Sequence, residues 1–99
     1  MASRIYKLHS KILVYPGMGG WRFLALPIKE SKEIKETYGK PAKGWGSLRV
    51  LVSIGKTKWK TSIFPDKQSG TYLLPLKKEI RKAEDIDDDA VVRFALELL

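Results

Sequence analysis

The alternation of apolar and polar residues between positions 47 and 64 (SLRVLVSIGKTKWKTSIF) constrains the fold of this chain more than any other feature. Successive side chains of a strand point to opposite faces, so a period of two predicts half-buried strands. Four aliphatic residues fall on one face of the first strand: Leu48, Val50, Val52 and Ile54. The turn at 55–58 leads into a second alternation through Trp59 and Ile63. The segment therefore predicts a β-hairpin.

The remaining sequence predicts four more strands and two helices. The strands are expected where apolar and polar residues alternate: 4–15, 21–26, 71–74 and 90–98. The helices are expected where apolar residues recur every three or four positions, at 28–39 and 76–84. Ser31 is the expected N-cap of the first helix. The whole chain, residues 1–99, is thus interpreted as one mostly β, barrel-like domain.

The order strand, Leu-Pro, short helix, strand occurs twice. Leu26-Pro27 aligns with Leu74-Pro75, 48 positions later, and each pair precedes a helical segment. Either half alone would expose sheet edges and too small a core, whereas two halves would close one barrel. The sequence therefore predicts a pseudo-two-fold internal repeat.

The charge of the chain is +8 and is unevenly distributed. Residues 1–60 contain 13 Lys or Arg and 3 Asp or Glu, a net charge of +10, whereas residues 61–99 contain 6 and 8, a net charge of −2. A basic half attracts polyanions such as nucleic acids, although basic residues also keep proteins soluble. The chain has no cysteine and no apolar run near the roughly 18 residues of a spanning helix. We expect a soluble cytoplasmic protein with no membrane attachment.

Three segments resemble the domain-of-unknown-function family 1905 (DUF1905): GWRFLALP, VLVSIGKTKWKTSIFP and GTYLLPLKKEIRKAEDIDDDAVV. The resemblance extends over most of residues 4–98, and its most specific parts are Trp59–Pro65 and Tyr72–Pro75. It implies a small barrel but no established activity.

The same family is similar in fold to the double-split, or swapped-hairpin, β-barrel of AbrB- and MazE-type regulators. In those proteins a strand leads through Ile-Pro to a basic helix and a Gly-Asp turn. Leu74-Pro75, Lys78-x-x-Arg81-Lys82 and Asp87–Asp89 occupy the matching places. An acid, assigned to Asp88, replaces the turn glycine, since Asp tolerates the left-handed conformation. The resemblance implies a small six-stranded double-split β-barrel with two short helices, in which two repeats replace a homodimer.

Few residues offer catalytic or metal chemistry. His9 is the one histidine and lies between Lys7 and Lys11 on a strand, where an exposed structural role is favoured over a ligand role. The acidic residues at 84–89 lack the spacing and glycine of a calcium loop and are interpreted as a solvated turn. We therefore expect no enzymatic activity, no metal and no cofactor.

The candidate ligand-binding residues are basic side chains interleaved with tryptophan: Lys40, Lys43, Trp45, Arg49, Lys56, Lys58 and Lys60. Trp59 alternates with two of these lysines and is expected to point into the barrel. The leading hypothesis is a non-enzymatic binding or regulatory scaffold with an unknown protein or ligand partner. The alternative is a nucleic-acid-binding protein that uses its first sixty residues. The expected assembly is a monomer or a weak homodimer.

Overall fold

A computed structural model describes residues 5–15, 21–39 and 46–99, which form six strands and two short helices. The strands are β1 (Ile5–Tyr15), β2 (Trp21–Ala25), β3 (Leu48–Ile54), β4 (Thr57–Asp66), β5 (Thr71–Pro75) and β6 (Val91–Leu98). The helices are α1 (Ile28–Ile34), continued by a π-helical turn (Lys35–Gly39), and α2 (Lys78–Ala83). The predicted mostly β barrel with two short helices is confirmed; the double-split pattern and the likeness to AbrB and MazE stay predictions.

The six strands close into an antiparallel barrel in the order β1-β2-β5-β4-β3-β6. Two long strands make this closure because each pairs with a different neighbour along its two halves. β1 pairs with β6 up to Lys11 and with β2 from Ile12 onwards. β4 pairs with β3 up to Ile63 and with β5 from Phe64 onwards. A closed ring leaves no strand edge unpaired over these registers.

The inward side chains of every strand form one hydrophobic core. Its most deeply buried members are Leu24, Leu26, Ile34, Val50, Val52, Ile63, Leu74 and Leu96. Full burial of an aliphatic side chain of this kind stabilises the fold by about 1.5–3 kcal/mol. The alternation in β3 and β6 therefore reflects this core: Val50, Val52 and Ile54 are buried in β3, and Val92, Phe94 and Leu96 are buried in β6.

Helix α1 begins at Ile28, as predicted, but its expected N-cap is wrong. The N-cap is Pro27, and Ser31 lies buried within the helix. The Ser31 hydroxyl donates to the Leu26 carbonyl (3.3 Å) and accepts the Tyr72 N–H (3.1 Å). The hydroxyl is thus used to join α1 to β5, because a buried amide and a buried hydroxyl both need a hydrogen-bond partner.

The turn after α2 also differs from the prediction. The residue with a left-handed backbone is Asp85 (φ 54°), not Asp88. The Ile86 N–H bonds to the Arg81 carbonyl (2.8 Å) and the Asp85 N–H to the Lys82 carbonyl (3.3 Å), which is a Schellman ending. This ending places its left-handed residue immediately after the helix C-cap, three positions before Asp88.

The predicted equivalence of Leu26-Pro27 with Leu74-Pro75 is wrong. Pro75 lies within β5 opposite Phe23, whereas Pro27 follows β2 and caps α1. Proline is tolerated there because the β4–β5 register ends at Phe64–Leu73, so no ladder bond on that side needs an N–H from position 75.

Candidate functional site

Alternation places a set of cationic side chains on the outer surface of one half of the barrel. This half is formed by β6, β3 and the adjoining parts of β1 and β4. Its exposed cations, which we call the basic face, are Lys7, Lys11, Arg49, Lys58, Lys60 and Arg93. They point outward because their strand neighbours carry the core side chains.

The strand registers set the spacing of this surface. Lys58 lies opposite Ser53, Ser53 opposite Ala95, and Ala95 opposite Lys7, which gives a row across four strands. Neighbouring strands are about 4.8 Å apart, and successive outward residues on a strand are about 6.8 Å apart. Two small side chains therefore separate the cations at the two ends of this row.

The cations of the basic face are not neutralised by nearby acids. Within the described residues, none of the six forms an ion pair with a carboxylate. Arg49 donates to the Ser62 hydroxyl (3.2 Å), a neutral partner. The single acid at an outward position of the strand segments that form this face is Glu97, which is half-buried opposite Leu51. The face thus has a strong positive potential.

The residues predicted for nucleic-acid binding divide into two groups. Arg49, Lys58 and Lys60 lie together on the basic face, and Lys56 is exposed in the β3–β4 turn beside it. The other three, Lys40, Lys43 and Trp45, lie outside the described residues. Trp59 is half-buried and packs against the core, as its alternation with Lys58 and Lys60 predicts.

Sequence reasoning missed three cations of the basic face: Lys7, Lys11 and Arg93. Arg93 lies in residues 61–99, whose net charge is −2. This net charge gave no reason to expect a basic surface there. Its outward position was nevertheless readable, since it alternates with the buried residues Val92 and Phe94. What the sequence could not supply is the pairing of β6 with both β1 and β3, which brings Arg93 opposite His9.

The opposite half of the barrel presents an apolar outer surface. It is formed by β2, β5 and the ends of β1 and β4, and its outward side chains, which we call the apolar face, are Leu13, Trp21, Phe23, Phe64, Leu73 and Pro75. A shallow groove of about 320 Å³ lies among the last five of these. The Trp21 and Phe23 rings stack with centroids 6.0 Å apart.

Further polar contacts of the described residues join separate elements of the barrel. Asp88 accepts two hydrogen bonds from the Arg22 guanidinium (2.9 and 2.8 Å), and this contact lowers the pKa of the Asp88 carboxyl. Burial raises the pKa of Tyr72. Glu84 accepts from the Thr57 hydroxyl (2.6 Å). Across residues 5–15, 21–39 and 46–99, no three acidic or histidine side chains come close enough to hold a metal ion.

Comparison with known proteins assigns the chain to a family and gives no relative of known activity. Neither helix in the described ranges has the length and hydropathy needed to cross a membrane. No curated protein matches the sequence. The sequence profile of the Domain of unknown function (DUF1905) matches residues 9–96, which is most of the chain and includes all six strands in whole or in part. The chain belongs to the DUF1905 family.

Proposed function

We propose that the chain is a non-enzymatic binding module whose basic face binds the phosphate backbone of a nucleic acid. The observation that supports this proposal is the set of six exposed cations on adjacent strands without carboxylate partners. Neutralising phosphates with Lys and Arg releases counterions, and this release drives sequence-independent binding. We place this binding in the cytoplasm, because the chain has no cysteine and therefore needs no oxidising compartment for disulfides.

A binding role suits the organisation of the barrel. Within the described residues the interior is filled by apolar side chains such as Leu24, Val52 and Leu96, which are fully buried. Ligands are left with the outer surface, where a closed sheet holds its outward side chains at fixed spacing. A rigid cationic surface positions phosphates without any bond-breaking chemistry.

A nucleic acid is favoured over a membrane surface by the separation of charge and apolar residues. Interfacial membrane binding combines basic residues with large apolar residues that enter the lipid beside them. Here the large exposed aromatic residues Trp21 and Phe64 lie on the apolar face, away from Lys58 and Arg93. The basic face instead intersperses its cations with small and aliphatic side chains such as Ser53, Ala95 and Leu51, and none of the outward positions of its described strand segments carries an aromatic ring of Trp, Phe or Tyr.

We further infer that the chain consists of two halves related by 50 positions rather than 48. The Leu26 N–H bonds to the Tyr72 carbonyl, and 50 positions later the Leu76 N–H bonds to the Arg22 carbonyl, both at 2.9 Å. The Ser31 bond to the Leu26 carbonyl has its counterpart in the Arg81 Nε bond to the Leu76 carbonyl (3.2 Å). In this arrangement β3 of one half meets β6 of the other, so both halves build the basic face.

The test is a fluorescence anisotropy titration of labelled single-stranded and double-stranded DNA between about 50 and 200 mM salt. The variant Lys58→Gln/Lys60→Gln removes two charges and keeps most of each aliphatic stem. We expect weaker binding to every sequence and a salt dependence whose log–log slope is smaller by about 2.

The matched control is Lys29→Gln/Lys32→Gln, which removes the same charge from exposed positions of α1. If net charge alone attracted DNA, both double variants would bind equally weakly, and the basic face would not be the interface. Wild-type protein that binds neither DNA at low salt would contradict the proposed function. Binding to anionic phospholipid vesicles but not to DNA would assign the basic face to a membrane surface instead.

A further inference from the structure

The basic face contains a depression at its centre, over Ala95. It has a volume of about 480 Å³ and lies on the outside of the sheet between β1, β6 and β3. Its polar rim is formed by Lys7, His9, Ser53 and Arg93. The depression is shallow and open to solvent, so it would contact one side of a ligand.

The strand registers explain why the surface is hollow at this point. In the row from Lys7 to Lys58, the two middle positions carry the small side chains Ala95 and Ser53. Gly55, without a side chain, borders the same hollow. Long cationic side chains therefore surround a floor of small residues, which is a shape that a compact group can enter.

The polar groups around the hollow select an anion. Lys7 and Arg93 supply ammonium and guanidinium donors from adjacent strands, Ser53 supplies a hydroxyl, and His9 lies directly opposite Arg93. Among the described residues no carboxylate lines the depression; Glu97 lies one row away opposite Leu51, and the Glu84 carboxylate, which accepts from Thr57, lies beside Gly55 at its border. A tetrahedral group with several acceptor oxygens matches such a donor set, and guanidinium pairs with phosphate through two parallel hydrogen bonds.

We propose that the depression over Ala95 binds one phosphate group, held by Lys7 and Arg93 and contacted by the Ser53 hydroxyl. The inference deepens the proposed function and rests on it for the source of that phosphate, a nucleic-acid strand on the basic face. The surrounding cations Lys58 and Lys60 then contact phosphates further along the same strand. The depression acts as the fixed point that sets the position of the strand.

The test fills the hollow without changing any charge. Ala95→Phe places a ring over the floor, and Val91→Phe is the matched control, because Val91 is an exposed outward residue of the same strand. Both outward positions accept a ring on a strand surface, and circular dichroism melts verify the fold. We expect Ala95→Phe to weaken binding of a short oligonucleotide about tenfold by the loss of charge-assisted hydrogen bonds, and Val91→Phe to change it less than about twofold.

Two outcomes separate this inference from the proposed function. If Ala95→Phe binds DNA as wild type does while Lys58→Gln/Lys60→Gln binds weakly, the phosphate site is wrong and the basic face remains the interface. If wild type binds no DNA, a ¹⁵N-correlation titration with inorganic phosphate decides. Selective shifts of the amide signals at 7–9, 53–55 and 93–95 would support the phosphate site while the proposed nucleic-acid binding is rejected. The absence of such shifts would overturn both.

The same titration distinguishes the source of the phosphate. An oligonucleotide with a 5′-hydroxyl and one with a 5′-phosphate share the same backbone. Equal affinity assigns the depression to a backbone phosphodiester, whereas a preference for the 5′-phosphate that Ala95→Phe abolishes assigns it to a terminal phosphate. A 5′-phosphate preference that survives in Ala95→Phe would contradict the proposed site.

Discussion

The two outer faces of the barrel use the same strand geometry for opposite purposes. On the apolar face an outward residue, Leu73, is only 8% exposed and lines the groove together with the aromatic side chains of Trp21, Phe23 and Phe64. On the basic face the outward residues Lys58, Lys60 and Arg93 are exposed. Leu73 therefore adds buried apolar area outside the barrel, although Trp21 and Phe64 on the same face stay exposed, whereas the cations of the basic face are available to a ligand.

This difference shows that outward alternation does not by itself mean solvent exposure. In a small barrel the core inside the sheet is limited, and a second cluster on one outer face adds hydrophobic burial. Charged outward residues add little to stability, since exposed charges are well solvated in either state. We expect substitutions on the apolar face to change the free energy of unfolding, and substitutions on the basic face to change binding.

The largest expected effect is that of Leu73→Ala. Removing this nearly buried side chain from the groove should lower the free energy of unfolding by about 2–3 kcal/mol. For a domain of this size that corresponds to a fall in Tm of about 10 °C or more. Urea denaturation followed by circular dichroism measures the loss directly.

Leu51→Ala is the matched control on the basic face, since Leu51 is also an outward leucine, on β3, but is more exposed than Leu73. We expect it to cost about 1 kcal/mol or less. Equal losses for Leu51→Ala and Leu73→Ala would show that the two faces contribute alike to stability, which would contradict the proposed difference between them.

The turns that border the two faces supply the next prediction. Gly55 of the β3–β4 turn has φ +56°, and a Cβ there would clash with a Glu84 carboxylate oxygen. Gly55→Ala should cost about 2 kcal/mol, because backbone strain is added to displacement of the carboxylate that binds Thr57. Thermal unfolding measures this loss.

Gly70 of the β4–β5 turn separates the two causes. It has φ +72°, and no atom of the described residues beyond its chain neighbours lies within 4 Å of the position that a Cβ would occupy, so Gly70→Ala adds strain alone. We expect a loss of about 1 kcal/mol. A loss at Gly55 no larger than that at Gly70 would show that the Glu84 contact does not stabilise the edge of the basic face.

A smaller effect is expected for the stacked pair Trp21 and Phe23 on the apolar face. A double-mutant cycle with Trp21→Ala and Phe23→Ala should give a coupling energy of about 0.5–1 kcal/mol, as offset-stacked rings do. The equivalent cycle with Lys58→Ala and Lys60→Ala on the basic face should give no stabilising coupling, because two like charges repel. Stabilising coupling on both faces would contradict the division of roles.

The sequence predicted the strands well because the alternation records the core. Val50, Val52 and Phe94 are buried where a period of two puts them. It failed where a distant partner decides the outcome. Ser31 has the residue type of an N-cap, yet its hydroxyl is engaged by the amide of Tyr72, 41 positions away. A local pattern cannot contain that information.

The candidate site was only partly predictable for the same reason. Arg49, Lys58 and Lys60 lie on one hairpin, so local alternation brings them together. Lys7 and Arg93 join them only because the barrel closes through β6, a pairing between the two ends of the chain. Summing charge over each half of the sequence concealed this, since the structure mixes residues of both halves on each face.

The smallest expected effect concerns the ion pair that joins the two faces, between Arg22 of β2 and Asp88 in the loop before β6. Because the pKa of Asp88 is lowered in the folded state, the ionised carboxylate stabilises the fold. That contribution is fully present above the ordinary carboxyl pKa of 3.8 and is lost as the pH falls through the lowered value. Asp88→Asn should therefore lower the Tm slightly near pH 7 and have no effect in strong acid.

Asp89→Asn is the control, because it removes the same charge from a residue without a hydrogen bond to the described part of the chain. A deficit of Asp88→Asn that stays constant with pH, or that Asp89→Asn shares, would show that Arg22 does not hold the two faces together through this carboxylate.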